Sequence, residues 1–94
     1  MHRVSEITVT PMGPGQFGVQ VSEGHQVTSH RVTVPESFLD DLALADADQE
    51  QVVRESFSFL LEREPATSIM DDFALPVIAD YFPEYYDELQ RRLA

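Results

Sequence analysis

The hydrophobic positions of the chain change period once, close to Pro35. Before it, residues 4 to 10, Val-Ser-Glu-Ile-Thr-Val-Thr, are rich in β-branched side chains. They are bounded by Pro11-Met-Gly-Pro-Gly15, which predicts a strand followed by a turn. Phe17, Val19 and Val21 alternate with Gly18, Gln20 and Ser22, the period of a strand with one buried face. Ser22-Glu-Gly-His25 turns the chain again, and residues 26 to 34 read as a third strand with Val32 and Val34 on the buried side. Two short connections imply an antiparallel meander in the order 1-2-3. Such a sheet needs cover on its apolar face, so the helices that follow are expected there.

After Pro35 the period becomes helical. Pro35 to Leu44 predicts a short first helix with Phe38, Leu39 and Leu42 as its apolar stripe. The strongest pattern runs from Glu50 to Glu64. Val52, Val53, Ser56, Phe57, Leu60 and Leu61 line one face, Phe59 widens it, and Arg54, Glu55, Ser58, Glu62 and Arg63 fall opposite. Asp46 or Asp48 is placed to cap it, with Gln49 or Gln51 in capping-box register, and Pro65 forces Glu64 out of helical backbone. Thr67 to Phe73 reads as a capped turn or short helix, and Leu75 to Phe82 as a helical segment with Pro76 in its first turn. Pro83 opens a last helix whose inner stripe is expected from Phe82, Tyr86, Leu89 and Leu93. The expected fold is α+β: a three-stranded antiparallel meander (1–34) followed by three to four helices (35–94) packed on one face. Neither half can bury its apolar face alone, so 1–94 is expected to be a single domain.

Composition narrows the chemistry. The 43% apolar content argues against disorder, and the absence of cysteine excludes disulfides, thiolate metal sites and cysteine nucleophiles. No apolar run approaches the length of a membrane span, and Met1 to Glu6 lacks the apolar region of a signal peptide, so the expected location is cytoplasmic. Seventeen acids face six bases, all arginine, for a net charge of −11. Residues 46–94 hold twelve of the acids and four of the arginines. Such a field repels phosphate, which disfavours nucleic acid and leaves a basic protein as the partner that fits. The lack of lysine also has a plain reading as a habit of the host genome.

No catalytic constellation emerges. His2, His25 and His30 show no helical metal spacing, and Asp40-Asp41 and Asp71-Asp72 are neighbours whose carboxylates diverge by about 100° on a helix. Ser56 lies on the apolar stripe without a visible base, as a small packing residue bonded back to a carbonyl would. Gly13-Pro14-Gly15 precedes a strand and lacks the lysine of a phosphate cradle. The expectation is therefore no catalysis, no cofactor and no metal. The rival reading is a metal-assisted hydrolase built on His25 or His30 with acids from the helices. Tyr81, Phe82, Tyr85 and Tyr86 form the densest aromatic cluster, suited to a core rim or to an interaction surface of Tyr81, Tyr85 and Tyr86. The first strand, read over 4–10, has no lysine or interior proline to guard its edge. A protein-protein interaction module follows, a monomer or homodimer that binds itself or a basic partner by a strand edge or by those tyrosines.

Two segments carry resemblances. Arg31-Val-Thr-Val-Pro-Glu-Ser-Phe-Leu-Asp-Asp-Leu42, followed by Val52-Val-Arg-Glu-Ser-Phe-Ser-Phe-Leu-Leu61, resembles the strand-helix-helix order of ribbon-helix-helix repressors and antitoxins. The resemblance implies a DNA-binding regulator in which Arg31 and Thr33 read base edges. Residues 56 to 85, with the phrases Phe-Leu-Leu-Glu-Arg-Glu-Pro and Tyr-Phe-Pro-Glu-Tyr, are similar to a segment of small prokaryotic proteins of unassigned function. That similarity implies a recurring domain and no particular activity.

Overall fold

The computed structural model describes residues 5–44 and 46–93. His2 lies outside them. Three antiparallel strands come first, β1 (Ser5–Gly13), β2 (Gln16–Glu23) and β3 (Gln26–Thr33), then the one-turn helix α1 (Phe38–Asp41) and the long helix α2 (Gln49–Leu61). A 3-10 turn (Ala66–Ser68), a short strand β4 (Asp72–Ala74), and the helices α3 (Val77–Tyr81) and α4 (Tyr85–Leu93) complete the chain. The architecture is α+β with a β-meander at its start, as expected.

The hairpins follow from their turn residues. Gly13 pairs with Gln16 across Pro14-Gly15, and Gly15 has φ +67° with its α-carbon pressed on Val34. A β-carbon there would stand 2.8 Å from the Val34 carbonyl oxygen, so only glycine fits both demands. Gly24, with φ +59°, opens the two-residue turn between Glu23 and Gln26, as the first residue of a II′ hairpin requires. Side chains then alternate. Val9, Phe17, Val19, Val21, His30 and Val32 are buried on one face, and Thr8, Thr10, Gln20, Ser29 and Arg31 are exposed on the other.

The structure corrects the sequence reading in four places. First, β1 runs on to Gly13 and takes in Pro11, so the edge strand does hold an interior proline. Second, residues 67–73 do not form a helix: after the 3-10 turn the chain enters β4, which pairs in parallel with β3 through Arg31↔Asp72, Val32↔Phe73 and Thr33↔Ala74. The sheet is therefore four-stranded and mixed, in the order β1-β2-β3-β4, and the 35–94 part is not wholly helical. Asp71 and Asp72 sit on this exposed strand entry, not on a helix face. Third, β3 does not form the second edge of the sheet over residues 31–33, where it is paired within this chain on both sides. Fourth, the inward stripe of α4 is Tyr85 and Leu89, with Tyr86 and Leu93 half-buried on its flank.

α2 occupies the centre of the cover. Asp48 caps it by accepting from the Glu50 amide at 3.2 Å, while Gln51 reaches forward to Glu55 instead of back to the cap. Its Val52, Val53, Ser56, Phe57, Phe59 and Leu60 are all buried. Arg54 sends a guanidinium N–H to the carbonyl of Ile7 at 2.6 Å, tying the helix to the outer edge of β1.

Candidate functional site

An apolar opening lies where α2 ends. Leu60 is the last buried residue of that helix, and both Arg63 and Glu64 bond back to its carbonyl at 2.9 Å before Pro65 redirects the chain. The following loop is pinned to the sheet. The buried His30 ring donates from Nδ1 to the Met70 carbonyl at 2.8 Å, since a carbonyl can only accept. Nε2 is then free to accept from the Thr28 hydroxyl at 2.9 Å. One residue on, the Arg31 amide donates to the Asp71 carbonyl at 2.6 Å. These bonds hold Ile69 and Met70 beside β4, while Pro76 starts α3 so that Ile78 faces them. Leu60, Ile69, Phe73 and Ile78 thus wall a pocket of about 350 Å³.

Its rim is chemically mixed. Met70 and Tyr81 are 40% and 67% exposed, and Glu64 and Phe82 are half-buried. Burial pushes the Glu64 carboxyl above its ordinary value of 4.5. Among the described residues no arginine reaches it. Arg63 pairs with Glu84 at 3.1 Å and Glu62 at 3.5 Å while lying 3.7 Å over the Phe59 ring, and Arg92 pairs with Glu62, Glu55 and Glu88. Arg54 and Arg91 serve Glu50 and Glu88. The effects differ in sign: Glu84's own backbone amide and then the Arg63 hydrogen bond hold the Glu84 carboxyl below its ordinary value, whereas Glu64 has only desolvation.

The three tyrosines do not form one surface. Tyr85 is 0% exposed, packed against Phe59 at 5.3 Å between ring centres, with its hydroxyl on Ser56. Burial drives its phenol well above the ordinary range. Tyr86 is half-buried against Phe38 and Tyr85. Only Tyr81 is open, and it stands on the pocket rim. Ser56 donates to the Val52 carbonyl at 2.7 Å, the packing role read from its place on the stripe.

The histidines are kept apart. His25 is exposed at a hairpin tip, whereas His30 is 4% exposed with both ring nitrogens engaged. Among the described residues no three His, Cys, Asp or Glu side chains are grouped to hold a metal ion, and no helix is long and apolar enough to cross a membrane. The open face of the sheet forms a broader, shallower depression of about 580 Å³ around Thr8, Thr10, Gln20, Ser29 and Arg31.

Of the residues that line this pocket, the sequence singles out Tyr81 as a surface candidate and does not single out Glu64, Ile69 or Met70. The available signal was an acid next to a helix-ending proline, with an apolar pair a few residues beyond. That pair reads as loop until β4 is recognised. Comparison of the chain with protein-family models, with curated proteins and with solved structures returns no match.

Proposed function

We propose that this chain is a non-catalytic binding module that docks a segment of a basic partner protein in the pocket between α2, β4 and α3. The observation that carries this reading is the pocket itself, apolar walls of about 350 Å³ opening between two exposed large side chains, Met70 and Tyr81. Recognition surfaces combine an apolar centre with amphipathic aromatic residues in this way. The net charge of −11 supplies complementarity to a basic segment and would speed its approach.

The strand-edge route to self-association is less well supported. Because the Ile7 carbonyl turns outward to meet Arg54, Val9 and Pro11 present the same outward side of β1. Pro11 has no N–H to offer and Arg54 already occupies one carbonyl, two devices that discourage edge pairing.

Selection of a random peptide library on the immobilised protein tests the proposal. The enriched peptides should be basic and should lose affinity by about tenfold or more when Met70→Ala and Tyr81→Ala are combined. Met12→Ala, on the open sheet face, should leave binding unchanged. Enriched peptides that bind the double variant as tightly as wild type, or no enrichment above a blank support, would overturn it.

A further inference from the structure

We infer that the pocket takes one lysine or arginine side chain of the partner segment, with Glu64 as the counter-charge; this deepens the docking proposal and rests on it. The argument begins with what the pocket asks of an occupant. Its buried walls, Leu60, Ile69, Phe73 and Ile78, are hydrocarbon, and the neutral polar side chain of the lining, Ser68, is exposed, so the part of a ligand that lies deep must be hydrocarbon. Its rim offers a carboxylate with no cation among the described residues, drawn partly out of water. A half-buried acid without a partner is a standing cost to the free protein, removed when a cation arrives.

Lysine and arginine combine the two demands in one side chain. Their stems of three or four methylenes cover apolar surface while the charged head stays at the opening. The exposed ring of Tyr81 and the half-buried ring of Phe82 stand on the same rim, and aromatic faces attract a cation placed within about 6 Å. A carboxylate or phosphate ligand would instead meet Glu64 with like charge, and a purely aliphatic side chain would leave it buried deeper and still unpaired.

The test is a nuclear magnetic resonance titration of the intact chain with capped pentapeptides, alanine flanking a central lysine, arginine, norleucine or citrulline. Norleucine keeps the lysine stem and lacks its charge; citrulline does the same for arginine. The charged peptides should bind about tenfold or more tighter than their neutral counterparts. Glu64→Gln, whose fold is checked by an unchanged amide spectrum away from residue 64, should bring lysine and norleucine to the same affinity. Affinity for the lysine peptide should fall as the pH is lowered through the Glu64 carboxyl range, because protons compete for the form that binds. Equal affinities for lysine and norleucine on wild type, with both lost in the Met70→Ala/Tyr81→Ala variant, would overturn the cation and leave the docking site standing. Affinities unaffected by that double variant would overturn both.

Discussion

The Ser56 and Tyr85 hydroxyls lie 2.6 Å apart in the fully buried core, joining α2 to α4 across 29 residues of sequence. Ser56 gives its only proton to the Val52 carbonyl, so Tyr85 must be the donor of the second bond. The asymmetry sets an order of variants. Ser56→Ala strands a buried phenol and should cost about 1–3 kcal/mol, whereas Tyr85→Phe leaves Ser56 with its carbonyl and should cost about 0.5–1.5 kcal/mol. The double variant should be more stable than Ser56→Ala alone. Denaturant unfolding of the three proteins checks this, and additive losses would contradict the shared bond.

Arg92 joins α4 to Glu62 and Glu55 at 2.7 and 3.7 Å and pairs with Glu88 of its own helix at 3.5 Å, with 19% of its side chain exposed. Its removal leaves those acids facing one another. Arg92→Met should cost about 1–2 kcal/mol at low salt, summed from weak, partly solvated pairs. Because salt screens both the lost attraction and the new repulsion, the deficit should shrink at about 1 M sodium chloride. Thermal melts at two ionic strengths provide the check.

His30 fastens the loop that shapes the pocket. His30→Leu keeps the volume near Phe57 but leaves the Met70 carbonyl without its donor. The expected result is a loss of about 1–3 kcal/mol, with the fastest gain in amide exchange at Asp71 to Leu75. Uniform exchange across all strands would instead mean that His30 serves the whole sheet.

Glu64 carries a pH dependence with a definite sign. Its native carboxyl holds a proton to higher pH than the ordinary 4.5 of the unfolded chain, so the native state binds more protons in the window just above 4.5. Its contribution to stability therefore falls as pH rises through that window and is absent as a penalty below it. Glu64→Gln should melt at or above wild type near pH 7 and lose this advantage on acidification. An acid placed for stability alone would show the opposite order.

What could be read from the residues depended on length and phase. The alternation of Phe17, Val19 and Val21 and the long stripe of α2 each repeat often enough to reveal both element and buried face. β4 has three residues, too few to show a period, and its partner β3 lies on the far side of α1 and α2. Pro11 argued against strand only for a paired side; on the outward side of an edge no N–H is missed. Tyr85 and Tyr86 are adjacent, and a rotation of about 100° in the phase of α4 exchanges the inner one for the outer. Pro83 sets that phase from a turn that no hydrophobic period reports. The pocket followed the same limit, since Ile69, Met70 and Glu64 come together only once β4 has been placed.

The most direct test of the docking account is an amide shift map of the uniformly 15N-labelled chain with a library-selected basic peptide. The account predicts that the largest changes cluster at Leu60, Glu64, Ile69, Met70, Ile78 and Tyr81, saturating with a single affinity. Changes centred on Thr8, Thr10, Gln20, Ser29 and Arg31, with the pocket residues unmoved, would contradict it and transfer the binding role to the open face of the sheet.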